Sequence, residues 1–228
     1  MTQKYYEYSK NRGIDFLYYG NWQRNYAKML VFITGLSQTL LNNTKNSLFL
    51  DVGTACGLIV KACQETKVFA NCVGIDSSEY MLDLGKNKFG FKDGELVVCD
   101  IANDEIPIKD GSVYLLNCSN VLEHIEEKNY PKIFKEFQRV LNTNGKGIII
   151  VPAAKQGLTI DQIKAGDNSH VTAKTTLWWK NTLKKYFKLE PEINDRFQKC
   201  KYSPSGDGKT FHDHYNIGWT LIGISKKQ

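Results

Sequence analysis

The 228-residue chain carries 30 Lys+Arg against 24 Asp+Glu, a net charge of +6, with 42% apolar and 24% charged residues. That balance is the one of a globular protein with room for a proper core, and one domain over residues 1–228 is expected. The most apolar stretch, Met29 to Leu36, falls far short of the about 20 residues a membrane span needs, so no membrane association is expected.

The opening residues MTQKYYEYSK lack the apolar core and cleavage signal of a secretory peptide, which predicts a cytoplasmic location. Five tyrosines fall in the first 19 positions. From Trp22 to about Leu41 apolar residues recur at helical spacing (Tyr26, Met29, Leu30, Ile33, Leu36, Leu40), predicting a helix that NNTKN ends. SLFLDV is a short buried strand, and Thr54 to Lys67 a helix. NCVGID is a second strand, after which Ser77 and Ser78 can cap a helix running to about Lys88, with Glu79 in its first turn. ELVVCD and SVYLLNC are the third and fourth strands. Pro131 to Asn142 is an amphipathic helix, closed by NTNG, and KGIIIVPA is a fifth strand. Leu177 to Tyr186 reads as a helix, and residues 187–194 and 214–225 as two more strands around the polar loop SPSGDGKTFHD.

Strands alternating with helices at this spacing predict βαβ units and an α/β, doubly wound, Rossmann-like sheet with helices on both faces. Ligands in such folds bind beyond the carboxyl ends of the strands, near the point where strand order reverses. The six cysteines, with no CxxC pair, read as reduced, mostly buried thiols. Charge is uneven: residues 151–228 hold 13 Lys+Arg against 7 Asp+Glu, while residues 1–150 balance at 17 each. The excess is modest for a nucleic-acid binder and is read first as solvated surface.

The first strand runs into DVGTACG, residues 51–57. Its G-x-x-x-G lacks the middle glycine of a dinucleotide loop, and no GK[ST] follows to hold a triphosphate. Charge then discriminates. A carboxylate about 4 Å from a phosphate costs on the order of 1 kcal/mol in water and several in a drier site; opposite a cation it helps by the same margin. Asp51 therefore suits S-adenosylmethionine, with its ammonium and sulfonium, better than NAD. Asp76 ends the second strand 19 residues beyond Gly57, a spacing suited to ribose hydroxyls. Asp100 ends the third, well placed for an adenine amine with Ile101 as an apolar wall.

Taken in order, FLDVGTACG, VGIDSS, VVCDI and NCSNVLEHI resemble the class I S-adenosylmethionine-dependent methyltransferases over roughly residues 47–152. The resemblance implies a seven-stranded, mostly parallel sheet whose last strand is antiparallel, with an extra N-terminal helix. It implies that Asp51, Gly53, Thr54 and Gly57 hold the methionyl part, Asp76 and Ser77 the ribose, and Asp100 and Ile101 the adenine. The end of the fourth strand (Asn117, Cys118, Ser119) would line the methyl-donor pocket. It divides the chain into an N-terminal helical or lid segment (1–45), a cofactor-binding core (46–152) and a substrate-side helix and strand pair (153–228). In this family N-terminal aromatics can close over the cofactor; Tyr5, Tyr6, Tyr18, Tyr19, Trp22 and Gln23 are the candidates.

Methyl transfer needs alignment and, for some acceptors, a base. His124 and His170 are the catalytic candidates; His170 opens HVT, ahead of Trp178-Trp179, a segment similar to one in bacterial members acting on sugars and other small metabolites. Glu123-His124 also resembles the E-x-x-E-H of metal-assisted methyltransferases, but Asn120 replaces its first acid, and no metal is expected. His212 and His214 are read as an exposed loop pair. The expected activity is methylation of an oxygen or nitrogen on a small molecule by S-adenosylmethionine, leaving S-adenosylhomocysteine, by a monomer or homodimer. A nucleic-acid acceptor, RNA above all, and a non-catalytic cofactor-binding module remain the alternatives.

Overall fold

The computed structural model describes residues 17–36, 47–154, 159–162, 169–203, 210–211 and 218–227. Its strands are β1 (Leu48–Val52), β2 (Asn71–Asp76), β3 (Leu96–Val98), β4 (Val113–Ser119), β5 (Leu141–Ala154), β6 (Lys174–Thr175), β7 (Phe187–Leu189) and β8 (Trp219–Lys226). Its helices are α1 (Asn21–Thr34), α2 (Leu58–Thr66), α3 (Glu79–Phe89), α4 (Tyr130–Val140), α5 (Thr176–Tyr186) and α6 (Pro191–Gln198).

The sheet runs β3-β2-β1-β4-β5-β8-β7, with the two-residue β6 paired to the end of β5. Strands β1 to β5 are parallel, and β8 is antiparallel to both its neighbours. Order reverses between β1 and β4, so their carboxyl ends open a crevice there. All five residues of β1 are buried, as expected of a central strand covered on both faces. Pleat alternation sends Leu48, Leu50 and Val52 to one face, against Phe134, Phe137, Trp179 and Leu183 of α4 and α5. Phe49 goes to the other, against Met29, Leu30 and Ile33 of α1 and Val60 of α2.

Local chemistry sets the boundaries. The Ser78 hydroxyl accepts from the Met81 N–H and starts α3, as expected. Gly35, with φ at 68°, caps α1 at Thr34, short of the predicted Leu41; positions 37–46 lie outside the described residues. The predicted strand over 187–194 is corrected. It stops at Leu189, and α6 takes over from Pro191. Proline fits the first helical position, and Ile193 and Phe197, one turn apart, bury the same face. The predicted start of the last strand at 214 also lies outside the described residues; β8 begins at Trp219. Among the described residues no helix is long and apolar enough to cross a membrane.

Candidate active site

The loop leaving β1 packs its backbone closely against Val121, just after β4. Gly53 adopts φ of 72°, and a Cβ there would lie 2.2 Å from Val121 Cγ2. Both the left-handed backbone and the missing side chain are therefore required. The Gly53 and Thr54 N–H groups donate to the Ile75 carbonyl at 2.8 and 3.0 Å, tying the loop to β2. Gly57 has a different task. It caps α2 at φ of 78°, and a Cβ would meet the Leu96 and Phe91 side chains, so it serves packing at the helix start.

Asp51 is 4% exposed. Its Oδ1 accepts from Asn117 Nδ2 and its Oδ2 from Thr54 Oγ1, each at 2.7 Å. Burial outweighs these two bonds and raises the carboxyl to about 6. Asp76, also buried, accepts from the Ala55 N–H at 2.8 Å and the Ser78 N–H at 2.9 Å, so one carboxylate holds both the glycine loop and the start of α3. Asp100 accepts from the Ala102 N–H and the Asn103 side-chain amide, which curl the chain after β3.

A cleft of about 240 Å³ lies at these strand ends. Of the residues expected at the site it gathers Gly53, Asp76, Ser77, Asp100, Ile101 and His124. Asp51 and Thr54 do not line it; the bond between them ties β1 to the loop. Cys118 is fully buried, its thiol pushed up by burial, and Ser119 is the half-buried last residue of β4. Trp22 stacks on Tyr26 at 5.1 Å and 7° between planes. Gln23 is spent on its own helix start: its side-chain oxygen accepts from Gly20 N–H and its amide donates to the Tyr18 carbonyl. Neither Trp22 nor Gln23 lines the cleft. Tyr5, Tyr6, His212 and His214 lie outside the described residues.

His124 sits on the short turn Leu122–His124 after β4. Its ring centroid is 5.1 Å from that of His170, 46 positions away, and its Nδ1 is 3.0 Å from Ser169 Oγ and 3.2 Å from the Ser169 carbonyl. The Val171 and Thr172 N–H groups donate to the Glu123 carbonyl, which docks the 169–172 segment against the turn. Glu123 is fully buried, with Oε1 4.0 Å from His124 Nε2. Glu123, His124 and His170 form a three-donor group whose ligand atoms lie within 4.8 Å of one another. A tetrahedral zinc with bonds near 2.1 Å would draw donors to roughly 3.4 Å, so a metal would require Glu123 and His124 to close up.

Three contributors went unread in the sequence. Val121 and Ser169 shape the cleft, and the Tyr26 hydroxyl reaches Asn117 across 91 positions. Tyr26 was legible only as an apolar member of a helical stripe; nothing local marks its hydroxyl.

Residues 50–149 match the family model described as a methyltransferase domain. The chain contains a methyltransferase domain and has the fold of S-adenosylmethionine-dependent methyltransferases. The uncharacterized protein MJ0638 of Methanocaldococcus jannaschii is 36% identical over 146 residues, which are 63% of this chain and 58% of that protein; the chain thus spans under two thirds of that relative. A TehB-like SAM-dependent methyltransferase from Corynebacterium glutamicum shares the fold at a TM-score of 0.56 and 17% identity, over 99% of this chain and 97% of that one. So does geranyl diphosphate C-methyltransferase from Streptomyces coelicolor A3(2), solved with Mg2+, geranyl diphosphate and S-adenosyl-L-homocysteine, at a TM-score of 0.59 and 16% identity, over 88% and 76% of the two chains. In this methyltransferase fold the cleft stands where strand order reverses, with acids at the ends of β1, β2 and β3.

Proposed function

We propose that this protein transfers the methyl group of S-adenosylmethionine to an oxygen or nitrogen of a small molecule. The observation that carries the reading is the buried Asp51 carboxylate directly beneath a glycine loop with no room for a side chain. An uncompensated buried acid is costly, and a cofactor bearing an ammonium supplies the missing charge. When bound, S-adenosylmethionine supplies a methyl on a positively charged sulfur that leaves as a neutral thioether. Asp76 receives the ribose hydroxyls, Asp100 and Ile101 meet the adenine, and Gly53 lets the backbone approach. His124 and His170 stand at the acceptor side, where a neutral imidazole takes the acceptor's proton and the buried Glu123 faces the imidazolium that forms.

Calorimetry tests the cofactor. S-adenosylhomocysteine is expected to bind at micromolar concentration and NAD not to bind. Asp76→Ala is expected to weaken the former by about tenfold or more, the worth of hydrogen bonds to a charged group. Binding of NAD alone would reject the reading, and an unchanged Asp76→Ala affinity would reject the ribose assignment.

One observation favours the nucleic-acid alternative. A groove of about 1120 Å³ at the far end of β5, β7 and β8 is rimmed by Lys146, Lys180, Lys184, Lys188, Lys226 and Lys227. Its acid, Glu190, is 3% exposed and already engaged by Lys146, Lys188 and Ser225.

A further inference from the structure

Four buried side chains connect the N-terminal helix to the carboxylate at the end of β1. The Tyr26 hydroxyl donates to Asn117 Oδ1 at 3.2 Å, Asn117 Nδ2 donates to Asp51 Oδ1, and Thr54 Oγ1 donates to Asp51 Oδ2, the last two at 2.7 Å. Tyr26 is 1% exposed and Asn117 2% exposed.

The direction of this chain is forced. A carboxylate only accepts, so Asn117 must turn its NH₂ toward Asp51 and its oxygen away. A carboxamide is nearly symmetric in shape, and only its partners decide which end faces which way. Tyr26 supplies the donor that satisfies the outward-facing oxygen and pins the amide in this orientation; without that bond the buried oxygen loses a partner and the amide's hold on Asp51 loosens. The ring that carries this hydroxyl is itself clamped. Trp22 stacks on it at 5.1 Å, and Phe211 meets it edge-on at 5.7 Å. One helical turn further, Met29, Leu30 and Ile33 seat α1 in the core.

We propose that Tyr26 and Asn117 are positioning residues that orient Asp51 toward the cofactor, so that helix α1 is part of the cofactor site. The inference rests on the S-adenosylmethionine reading above. Neither residue touches the cofactor; each acts through Asp51.

A double-mutant cycle on S-adenosylhomocysteine affinity, read by calorimetry at pH 7.5, tests this, with ligand-free melting temperatures recorded alongside. Tyr26→Phe keeps the ring and its stacking and removes only the hydroxyl. It is expected to weaken binding by about two- to tenfold, one hydrogen bond's worth. Asn117→Leu, which removes the donor to the carboxylate, is expected to weaken it by about tenfold or more. In the Asn117→Leu background, Tyr26→Phe is expected to cost nothing further, because the amide it orients is gone. Asn117→Ala completes the cycle if the leucine variant does not fold. Unchanged affinity in Tyr26→Phe overturns the proposal, and so does an equal loss in both backgrounds, which would mark a packing effect. If the unaltered protein fails to bind S-adenosylhomocysteine, the cofactor reading itself falls and takes the proposal with it.

Discussion

Under the proposed cofactor reading, Asp51 sets function against stability at one position. Burial raises its carboxyl from 3.8 to about 6. Between those values the folded chain holds a proton that the unfolded chain has released, so stability falls as pH rises through that window. For a shift of two units the loss is on the order of 3 kcal/mol, fully present above pH 6. Asp51→Asn removes that cost and keeps the bond from Asn117, while its new NH₂ can donate to the Thr54 hydroxyl. Its expected outcome is a higher melting temperature at pH 7.5 without ligand, together with S-adenosylhomocysteine affinity lower by about tenfold or more. In the unaltered protein the same affinity is expected to drop as pH falls through about 6, because a protonated carboxyl no longer attracts an ammonium. Scanning fluorimetry and calorimetry across pH 5 to 8 measure both; a destabilised Asp51→Asn that binds normally contradicts the assignment.

The elements around the site divide sharply in how readable they were. β1, β2 and the Ser78 cap of α3 announce themselves through apolar runs and a capping hydroxyl, which are local signals. The segment FKLEPEIN did not. Its alternation suggests a strand, yet Pro191 starts a helix because Ile193 and Phe197 bury together against the sheet. The turn Leu122–His124 is another case: His124 was singled out, but its meeting with His170 depends on the 169–172 segment docking on the Glu123 carbonyl. The prediction at this scale concerns that meeting. With an acceptor found by S-adenosylhomocysteine release from a small-molecule panel, His124→Gln is expected to lower turnover by about 10²- to 10⁴-fold while leaving cofactor affinity near normal. A chelator is expected to leave turnover unchanged. Activity lost to the chelator and restored by manganese or zinc would instead make Glu123, His124 and His170 a metal centre.

At the scale of the molecule the charge map has two poles. Acids collect at the carboxyl ends of β1, β2 and β3, while lysines from β5, α5, β7 and β8 collect at the opposite end. The charge excess of residues 151–228 was visible beforehand; that five of its lysines, Lys180, Lys184, Lys188, Lys226 and Lys227, line one groove was not. Under a small-molecule reading that groove is solvated surface, and a short RNA is expected to bind no tighter than about 1 µM at 150 mM salt, the level of non-specific association. Binding well below that, falling steeply with salt and abolished by Lys180→Glu with Lys184→Glu, would move the acceptor to nucleic acid. Fluorescence anisotropy at three salt concentrations decides it.

The sequence alone determined the fold class and the cofactor chemistry. Both depend on short-range patterns: strand and helix periodicity, glycine spacing, and the sign of charge at strand ends, which any folded version of this chain must express. Tertiary structure decided what those residues do for one another. Asp76 became the clasp of the glycine loop, Gly57 a helix cap, Gln23 a partner of its own helix start, and Tyr26 a donor to Asn117, which in turn holds Asp51. Such roles depend on which donor meets which acceptor after packing, at separations of up to 91 positions, and no local pattern encodes that.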